Sequence, residues 1–563
     1  MVSRCESLHS WSSPRAMSKF ICSLLLVAFI GLPYSTGDER PNIIVILADD
    51  MGYSDIGCYG GEIETPNIDA LAENGLRFKQ FYNSARCCPT RASLMTGLHP
   101  HETGIGHMTN PPGTLNHDAG PDFPNYRGVL NKDCVTVAEV LKPAGYATLM
   151  SGKWHLGMDR HEIRPLQRGF EKYYGCLSGA TNFFYPEHPR GMFFGNEPIE
   201  NPKSTTDRRF YTTDAFTDYA IQFLSEEKAE QDRPFFLYLA YTSPHWPLHA
   251  HQKEVQKYVG KYMMGWDKLR EQRLKRQIEI GLIDPKWKLS ERHDVAWDSL
   301  DIEKQREMDM RMAFYAAMID RMDQNIGKLV EHLKKNDQYD NTLIIFLTDN
   351  GGCAEGGTLG GKTDPFDLGK WEATYGAGPS YGGNWANASN TPFQKFKHYT
   401  HEGGISTPLV AHWPKGIKRR GSLVSDLAYL PDLMPTFISL AKATYPSNYR
   451  GNEIRPLTGV SLTTIFEGKS LKRKDPLYLE HEDNAALIQG DWKLVGTKVS
   501  VFDGPDASKW ELYDLENDRT ETNDLSAMHP EKVSQLSKKW LAWANQVGVY
   551  PKPSKKNFKD GRN

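Results

Sequence analysis

The 563-residue chain has little cysteine, no dominant sign of charge and a single long apolar run. Eight cysteines are too few for a disulfide scaffold at this length, so at most a few bridges are expected and their pairing is open. Sixty-seven Lys and Arg against seventy Asp and Glu leave a formal charge of −3, which removes the electrostatic case for nucleic acid. The apolar run covers 20–32, after Lys19 and before Ser35, Thr36 and Gly37. It is shorter than the ~20 residues of a membrane span, and its basic start and small-residue exit describe a secretory signal over 1–37. The expectation is an exported chain, periplasmic or secreted, with no stable membrane span and with Met1 or Met17 as its start. Cys5 and Cys22 leave with that leader; Cys58, Cys87, Cys88, Cys134, Cys176 and Cys353 remain. There is no internal repeat.

What is present points to a packed core: 39% hydrophobic residues, with Gly and Pro lying between apolar runs. Continuous apolar runs at 43–47, 235–240 and 343–347, and a weaker one at 409–412, suit parallel strands buried on both faces. Helical patterns alternate with them at 67–74, 136–141 and 216–228. Tyr315, Met318, Ile319, Met322, Ile326, Leu329 and Leu333 form a longer 3.6-period stripe whose methionines read as core filling. Strand alternating with helix means an α/β domain with a mainly parallel sheet. The charged stretch 249–307, with Trp266, Trp287 and Trp297, reads as a surface helical excursion anchored by its tryptophans. The glycine-rich stretch 351–383 reads as a long loop of the functional kind. Short strand-like pieces at 477–479, 486–488, 492–495 and 510–513, then an amphipathic helix over 530–547, form a different texture. The expected division is a leader over 1–37, an α/β body over 38–470, and an α+β subdomain and tail over 471–563.

Asp49-Asp50 follows the first apolar run directly, and Asp349-Asn350 follows another. Sites in open α/β sheets collect at the carboxyl ends of strands. Either pair alone reads as a helix cap or turn. Two pairs in equivalent positions bring three carboxylates and an amide oxygen together, which repel unless a cation neutralises them. An all-oxygen shell suits calcium or magnesium rather than zinc.

The segment Arg86-Cys87-Cys88-Pro89-Thr90-Arg91-Ala92-Ser93-Leu94-Met95-Thr96-Gly97 closely resembles the sulfatase signature Cys-x-Pro-(Ser/Thr)-Arg. Gly145-Tyr146-Ala147-Thr148-Leu149-Met150-Ser151-Gly152-Lys153-Trp154-His155-Leu156-Gly157 looks like that family's other signature. Ser243-Pro244-His245-Trp246-Pro247, and Lys397 with Thr400-His401-Glu402-Gly403-Gly404, fit later blocks. The resemblance runs from about Pro41 to the C-terminal helix. It is to formylglycine-dependent, type I sulfatases, nearest the bacterial-type arylsulfatases.

That resemblance implies an alkaline-phosphatase-like α/β sandwich, a large mainly parallel sheet flanked by helices, with a small C-terminal antiparallel sheet and helix. It implies that a maturation enzyme oxidises Cys87 to formylglycine, whose hydrate is the nucleophile. Cys87 is selected because one residue, here Cys88, separates the modified cysteine from Pro89. Asp49, Asp50, Asp349, Asn350 and the modified Cys87 would hold one divalent cation, calcium ahead of magnesium. Arg91 would hold the diol, and Lys153 and Lys397 would grip sulfate oxygens. Lys397 is preferred to Lys395 by its distance from Glu402, although 394–397 departs from the small-residue block of many relatives. His155 would take a proton during sulfate release and His245 would protonate the leaving oxygen. His99, His101, His107, His249, His398 and His401 stay unassigned.

The implied reaction is hydrolysis of an aryl or carbohydrate sulfate monoester to an alcohol or phenol and inorganic sulfate. A phosphonate or phosphate diester hydrolase is the alternative, and a secreted binding protein that kept the fold without activity is a third reading. The expected partner is a sulfated small molecule or glycan, chosen by loops at 178–201, 249–307 and 356–386.

Overall fold

The computed structural model describes residues 39–558, apart from 112–113, 115–116, 201, 203–208, 362–378, 472 and 502–503. The leader expected over 1–37, with Cys5 and Cys22, lies outside the described residues, as does much of the loop expected over 351–383. From Arg40 onward the chain is one compact unit.

Its centre is four adjacent parallel strands: β1 (Asn42–Ala48), β2 (Ala147–Gly152), β3 (Phe235–Ala240) and β4 (Thr342–Thr348). They lie in the spatial order β4-β1-β3-β2 within a ten-stranded sheet. Period-two geometry sends Ile44 and Ile46 to one face and Ile43, Val45 and Leu47 to the other. Both faces are covered, which is why β1 is apolar from Ile43 to Ala48. On the first face lie α2 (Thr212–Glu230) and α3 (Ile302–Lys335); on the second lie α1 (Cys87–Thr96) and a helix at Leu433–Ala441. Met318 and Met322 of α3 are fully buried in the first core. The helix starts on an Asp301 cap and ends with His332, Lys334 and Lys335 in its last turn, where positive charge meets the helix dipole.

The sheet is mixed at its edges. Leu409–His412 runs antiparallel to β4, and short strands at Leu76–Phe78, Lys172–Cys176, Met192–Phe194, Glu197–Ile199 and Ser422–Val424 extend it. In the charged excursion only Gln252–Val255 and Gly265–Glu279 are α-helical before α3 begins. Trp266 and Trp297 pack edge to face at 4.9 Å and both meet Trp385, while Trp287 donates to the Glu516 carbonyl at 3.0 Å. The six cysteines among the described residues are all free thiols, so the bridges allowed from the sequence do not form. No helix among the described residues is long and apolar enough to cross a membrane.

The C-terminal part is a four-stranded antiparallel sheet: Leu477–His481, Asn484–Gln489, Trp492–Gly496 and Glu511–Asp514. Trp540 and Trp543 of α4 (Pro530–Gln546) pack on one face, and the other face meets Tyr82 and Ile405 of the body. Two buried charge clusters clamp this sheet to the body. In one, Lys493 reaches Glu402 and Glu521 at 2.9 and 2.7 Å, and Arg519 reaches Glu402 at 2.9 Å. In the other, Glu480 lies 2.9 Å from His101 Nε2 and accepts from Lys552 at 2.7 Å.

Burial opposes ionisation of Glu480, but Lys552 and His101 hold its carboxyl down at about 2. A depressed carboxylate stabilises the fold above its unfolded value of about 4.5, and the contribution is lost as pH falls through about 2. That shift corresponds to ~3 kcal/mol. Glu480→Gln should therefore lower unfolding stability by about 3 kcal/mol at pH 7, with the difference from the parent shrinking below about pH 4.5. Urea titrations across pH check this; a deficit that grew on acidification would contradict it.

Candidate active site

The strand register builds the site. Ala48 of β1 pairs with Thr348 of β4, so Asp49 and Asp50 leave the sheet beside Asp349 and Asn350. The Asp49 amide donates to the Ser243 carbonyl (3.0 Å), the Asp349 amide to Ala48 (3.2 Å), and the Asp50 amide to Asp349 Oδ1 (3.1 Å). Lys153 follows β2, and its amide bonds the Ala240 carbonyl at 2.8 Å. His245 follows β3. Four neighbouring strands thus deliver residues that follow their carboxyl ends to one place, His245 after a short connection from Ala240. Asp50 and His155 sit at φ of 68° and 57°, left-handed conformations that non-glycine residues adopt at a cost and that cluster at functional sites.

The fifth contributor is α1, whose first residue is Cys87 and whose ten residues are all buried. Arg91 lies one turn on, at i+4, on the same face as Cys87. Its Nη2 reaches Asp349 Oδ2 at 3.0 Å and Asp49 Oδ1 at 3.5 Å, and its Nη1 donates to the Lys153 carbonyl at 3.0 Å. Lys153 Nζ meets Asp49 Oδ2 at 2.7 Å. Lys397 Nζ meets Asp50 at 2.8 Å. Lys395 turns away and lies over the Tyr399 ring, 5.3 Å from its centroid.

Three carboxylates are therefore met by three cationic side chains, Arg91, Lys153 and Lys397, all buried. This corrects the argument that the carboxylates need a cation to coexist: side chains alone balance them. A dication added here leaves a net charge of about +2, suited to an anionic ester and an anionic nucleophile together. Donor chemistry fits such an ion. Asn350 Nδ2 donates to Asp50 Oδ1 at 2.7 Å, while Asn350 Oδ1 and Asp49 Oδ1 are buried without any hydrogen bond. Buried acceptors lacking a donor call for another partner. Asp49, Asp50 and His245 also offer ligand atoms within 4.8 Å of one another.

The charges shape each group's protonation. Burial raises the Asp49 carboxyl despite Lys153 and Arg91, and burial with the Asp49 charge pushes Asp349 well up. Burial works against Asp50 as well, yet Lys397 and His245 hold it below the ordinary carboxylate range. The two signature thiols differ. A hydrogen bond from Cys88 drops Cys87 well below the usual range against its burial, and Lys153, His155 and Lys397 pull the same way. Burial lifts Cys88 well above that range, and its sulfur is engaged by the Thr109 amide at 3.2 Å and the His107 carbonyl at 3.6 Å.

The two histidines have fixed tautomers. His155 Nε2 lies 2.8 Å from the Thr109 carbonyl, which only accepts, so Nε2 carries the proton and Nδ1 keeps a free lone pair. Burial holds this ring down at about 4. His245 Nδ1 donates to the Trp246 carbonyl at 2.5 Å, leaving Nε2 3.4 Å from Asp50 Oδ2. Burial lowers its basicity against the pull of Asp50.

Sequence reasoning passed over Glu355, Thr109 and Tyr238. Glu355 bonds the Trp246 indole at 2.5 Å, Arg86 at 3.1 Å and Lys397 at 3.6 Å; burial opposes its charge, but Lys397 and Arg86 hold it down at about 2. Its place in a glycine-rich loop gives no periodic signal. Tyr238 Oη, inward-facing on β3, lies 3.4 Å from Arg91 Nη1. Among the unassigned histidines, His101 pairs with Glu480 and His401 with Glu511. His99 packs edge-on to Trp543, His107 lies against Tyr126, and His249 is buried beside Phe183. His398 lies beside Glu355 and Glu482.

The family model described as Sulfatase matches residues 41–443, and that described as N-sulphoglucosamine sulphohydrolase, C-terminal, matches 393–542. An uncharacterized sulfatase of Schizosaccharomyces pombe is 33% identical over 92% of this chain and 95% of its own. An arylsulfatase of Klebsiella aerogenes is 35% identical over 82% of this chain and 99% of its own. The solved structure of Ps i-CgsB in complex with k-i-k-neocarrahexaose superposes with a TM-score of 0.64 at 26% identity, covering 93% of this chain and 94% of that one. With its mixed sheet of alkaline-phosphatase type and its C-terminal antiparallel sheet, the chain belongs to the sulfatase family and is a sulfuric ester hydrolase.

Proposed function

We propose that the enzyme is exported, periplasmic or secreted, and hydrolyses a carbohydrate sulfate monoester by attack at sulfur, using formylglycine made from Cys87 by a maturation enzyme. The observation that carries this reading is the placement of a buried helix-start cysteine within the field of Lys153, His155 and Lys397 and of the Asp49, Asp50 and Asp349 carboxylates. A hydrated formylglycine supplies one hydroxyl as nucleophile and a second whose ionisation expels sulfate. A divalent cation held by Asp49, Asp50, Asp349, Asn350 and residue 87, calcium before magnesium, would supply Lewis-acid polarisation.

The chain's own groups account for the remaining steps. Lys153 and Lys397 face the sulfate oxygens and offset negative charge that grows in the transition state. Arg91 orients residue 87 from the next turn. The free Nδ1 of His155 takes the proton of the second hydroxyl. Nε2 of His245, aimed into the site by the Trp246 carbonyl, delivers a proton to the departing oxygen from the imidazolium form, which the Asp50 carboxylate 3.4 Å away favours against burial. A carbohydrate substrate is supported by the oligosaccharide held by Ps i-CgsB.

Matured enzyme assayed in parallel on nitrophenyl sulfate, a panel of sulfated glycans and a phenyl phosphonate monoester tests the reading. Turnover of a sulfated glycan with phosphonate turned over poorly supports it; preference for the phosphonate overturns it in favour of a diester hydrolase. His245→Ala should cost about 10²–10⁴-fold in kcat on a sugar sulfate, a poor leaving group, and much less on nitrophenyl sulfate. Equal losses on both would remove His245 from the acid role.

A further inference from the structure

We propose that His398, His481 and Glu482 form a second cation site beside the segment that carries Lys397, one for a borderline ion such as zinc rather than calcium. The three residues offer ligand atoms that all lie within 4.8 Å of one another. Glu482 Oε2 is 2.9 Å from His398 Nδ1, and Glu482 Oε1 is 3.5 Å from His481 Nε2. His481 is fully buried, yet neither of its ring nitrogens has a hydrogen bond. A buried imidazole normally finds a partner, so this ring, set against Glu482, has an unmet need for one.

The donor types separate the two sites. Oxygen donors around Asp49 suit a hard ion, whereas two imidazoles and a carboxylate are a set typical of zinc, with a fourth position left for water. His398 and Glu482 are about one-third exposed, so an ion can enter from solvent. Glu355 Oε1 lies 3.8 Å from His398 Nε2, where a carboxylate orients a ligating ring. Arg86 abuts the His398 ring and pairs with Glu355 at 3.1 Å.

The site joins distant parts of the chain. His398 adjoins Lys397, and its carbonyl accepts from Asn484 at 3.0 Å. His481 ends one strand of the C-terminal sheet and Glu482 opens the tight turn to the next, with Glu482 and Asp483 both at positive φ. An ion there pins the segment bearing Lys397 to that turn. None of this depends on the reaction proposed above.

The test is cobalt(II) titration of the full-length, calcium-saturated protein, read by visible absorption and thermal melting. The expected result is one equivalent giving the intense spectrum of a four- or five-coordinate nitrogen and oxygen site, with a raised Tm. Both signals should vanish in Glu482→Ala, whose exposed side chain can be removed without harm to the core, and in His481→Ala. A weak octahedral spectrum alone, a thiolate charge-transfer band, or signals that persist in Glu482→Ala would overturn the proposal.

Discussion

Cys87→Ala should abolish turnover, by on the order of 10⁶-fold in kcat as when a covalent nucleophile is deleted, while the fold and melting temperature stay close to those of the parent. The side chain it removes makes no ion pair, its weak contact with Met108 Sδ at 4.0 Å is readily replaced, and α1 keeps its remaining apolar contacts. Cys88→Ala is the matched control. It loses the bonds to the Thr109 amide and the His107 carbonyl, together worth ~1–3 kcal/mol, but no reacting atom. Because Thr109 in turn holds His155 Nε2, activity should fall about tenfold and no further. Near-complete inactivation by Cys88→Ala with a silent Cys87→Ala would exchange the roles of the two thiols.

Arg91→Met should damage both stability and rate. The guanidinium is fully buried and answers Asp349 at 3.0 Å and Asp49 at 3.5 Å, and Asp349 has no other ion-pair partner among the described residues. Breaking a buried pair from one side costs about 3–5 kcal/mol, because a carboxylate remains without its counter-charge. If the deficit is one of positive charge, millimolar calcium should restore part of the lost melting temperature in Arg91→Met, and more than it adds to the parent. Turnover should stay low in calcium, since the ion does not replace the guanidinium whose charge acts on residue 87. An Arg91→Met protein as stable as the parent without calcium would contradict the charge balance drawn for this site.

The centre of the fold was legible because β1, β3 and β4 are continuous apolar runs that end abruptly, β1 in Asp49-Asp50 and β4 in Asp349-Asn350. β2, with Thr148 and Ser151 in its run, was legible only through its resemblance to the second signature. Which residues face each other was not legible, since the pairing of Ala48 with Thr348 is a matter of register between segments about 300 residues apart. Four of the edge strands escaped notice because three residues carry too little alternation to be told from loop, and the five of Lys172–Cys176 offer no apolar run. The Trp266, Trp297 and Trp385 cluster is tertiary, so spacing showed that the tryptophans anchor the excursion but not what they meet. Lys395 and Lys397 are equivalent by charge, and only the backbone, with Lys395 at φ 64°, decides which ammonium turns inward. Glu355 and the His398–His481 pair have no sequence signal at all: each matters through neighbours brought in by folding.

The most direct test is the chemical state of residue 87 in enzyme that is turning over. Trypsin cuts after Arg86 and after Arg91, releasing Cys87 to Arg91 as one peptide. Its mass should show that the Cys87 side chain has exchanged its CH₂SH for CHO, with Cys88 intact, and the aldehyde-bearing fraction should track specific activity from one preparation to the next. A fully active preparation in which Cys87 is still an ordinary thiol would contradict the account.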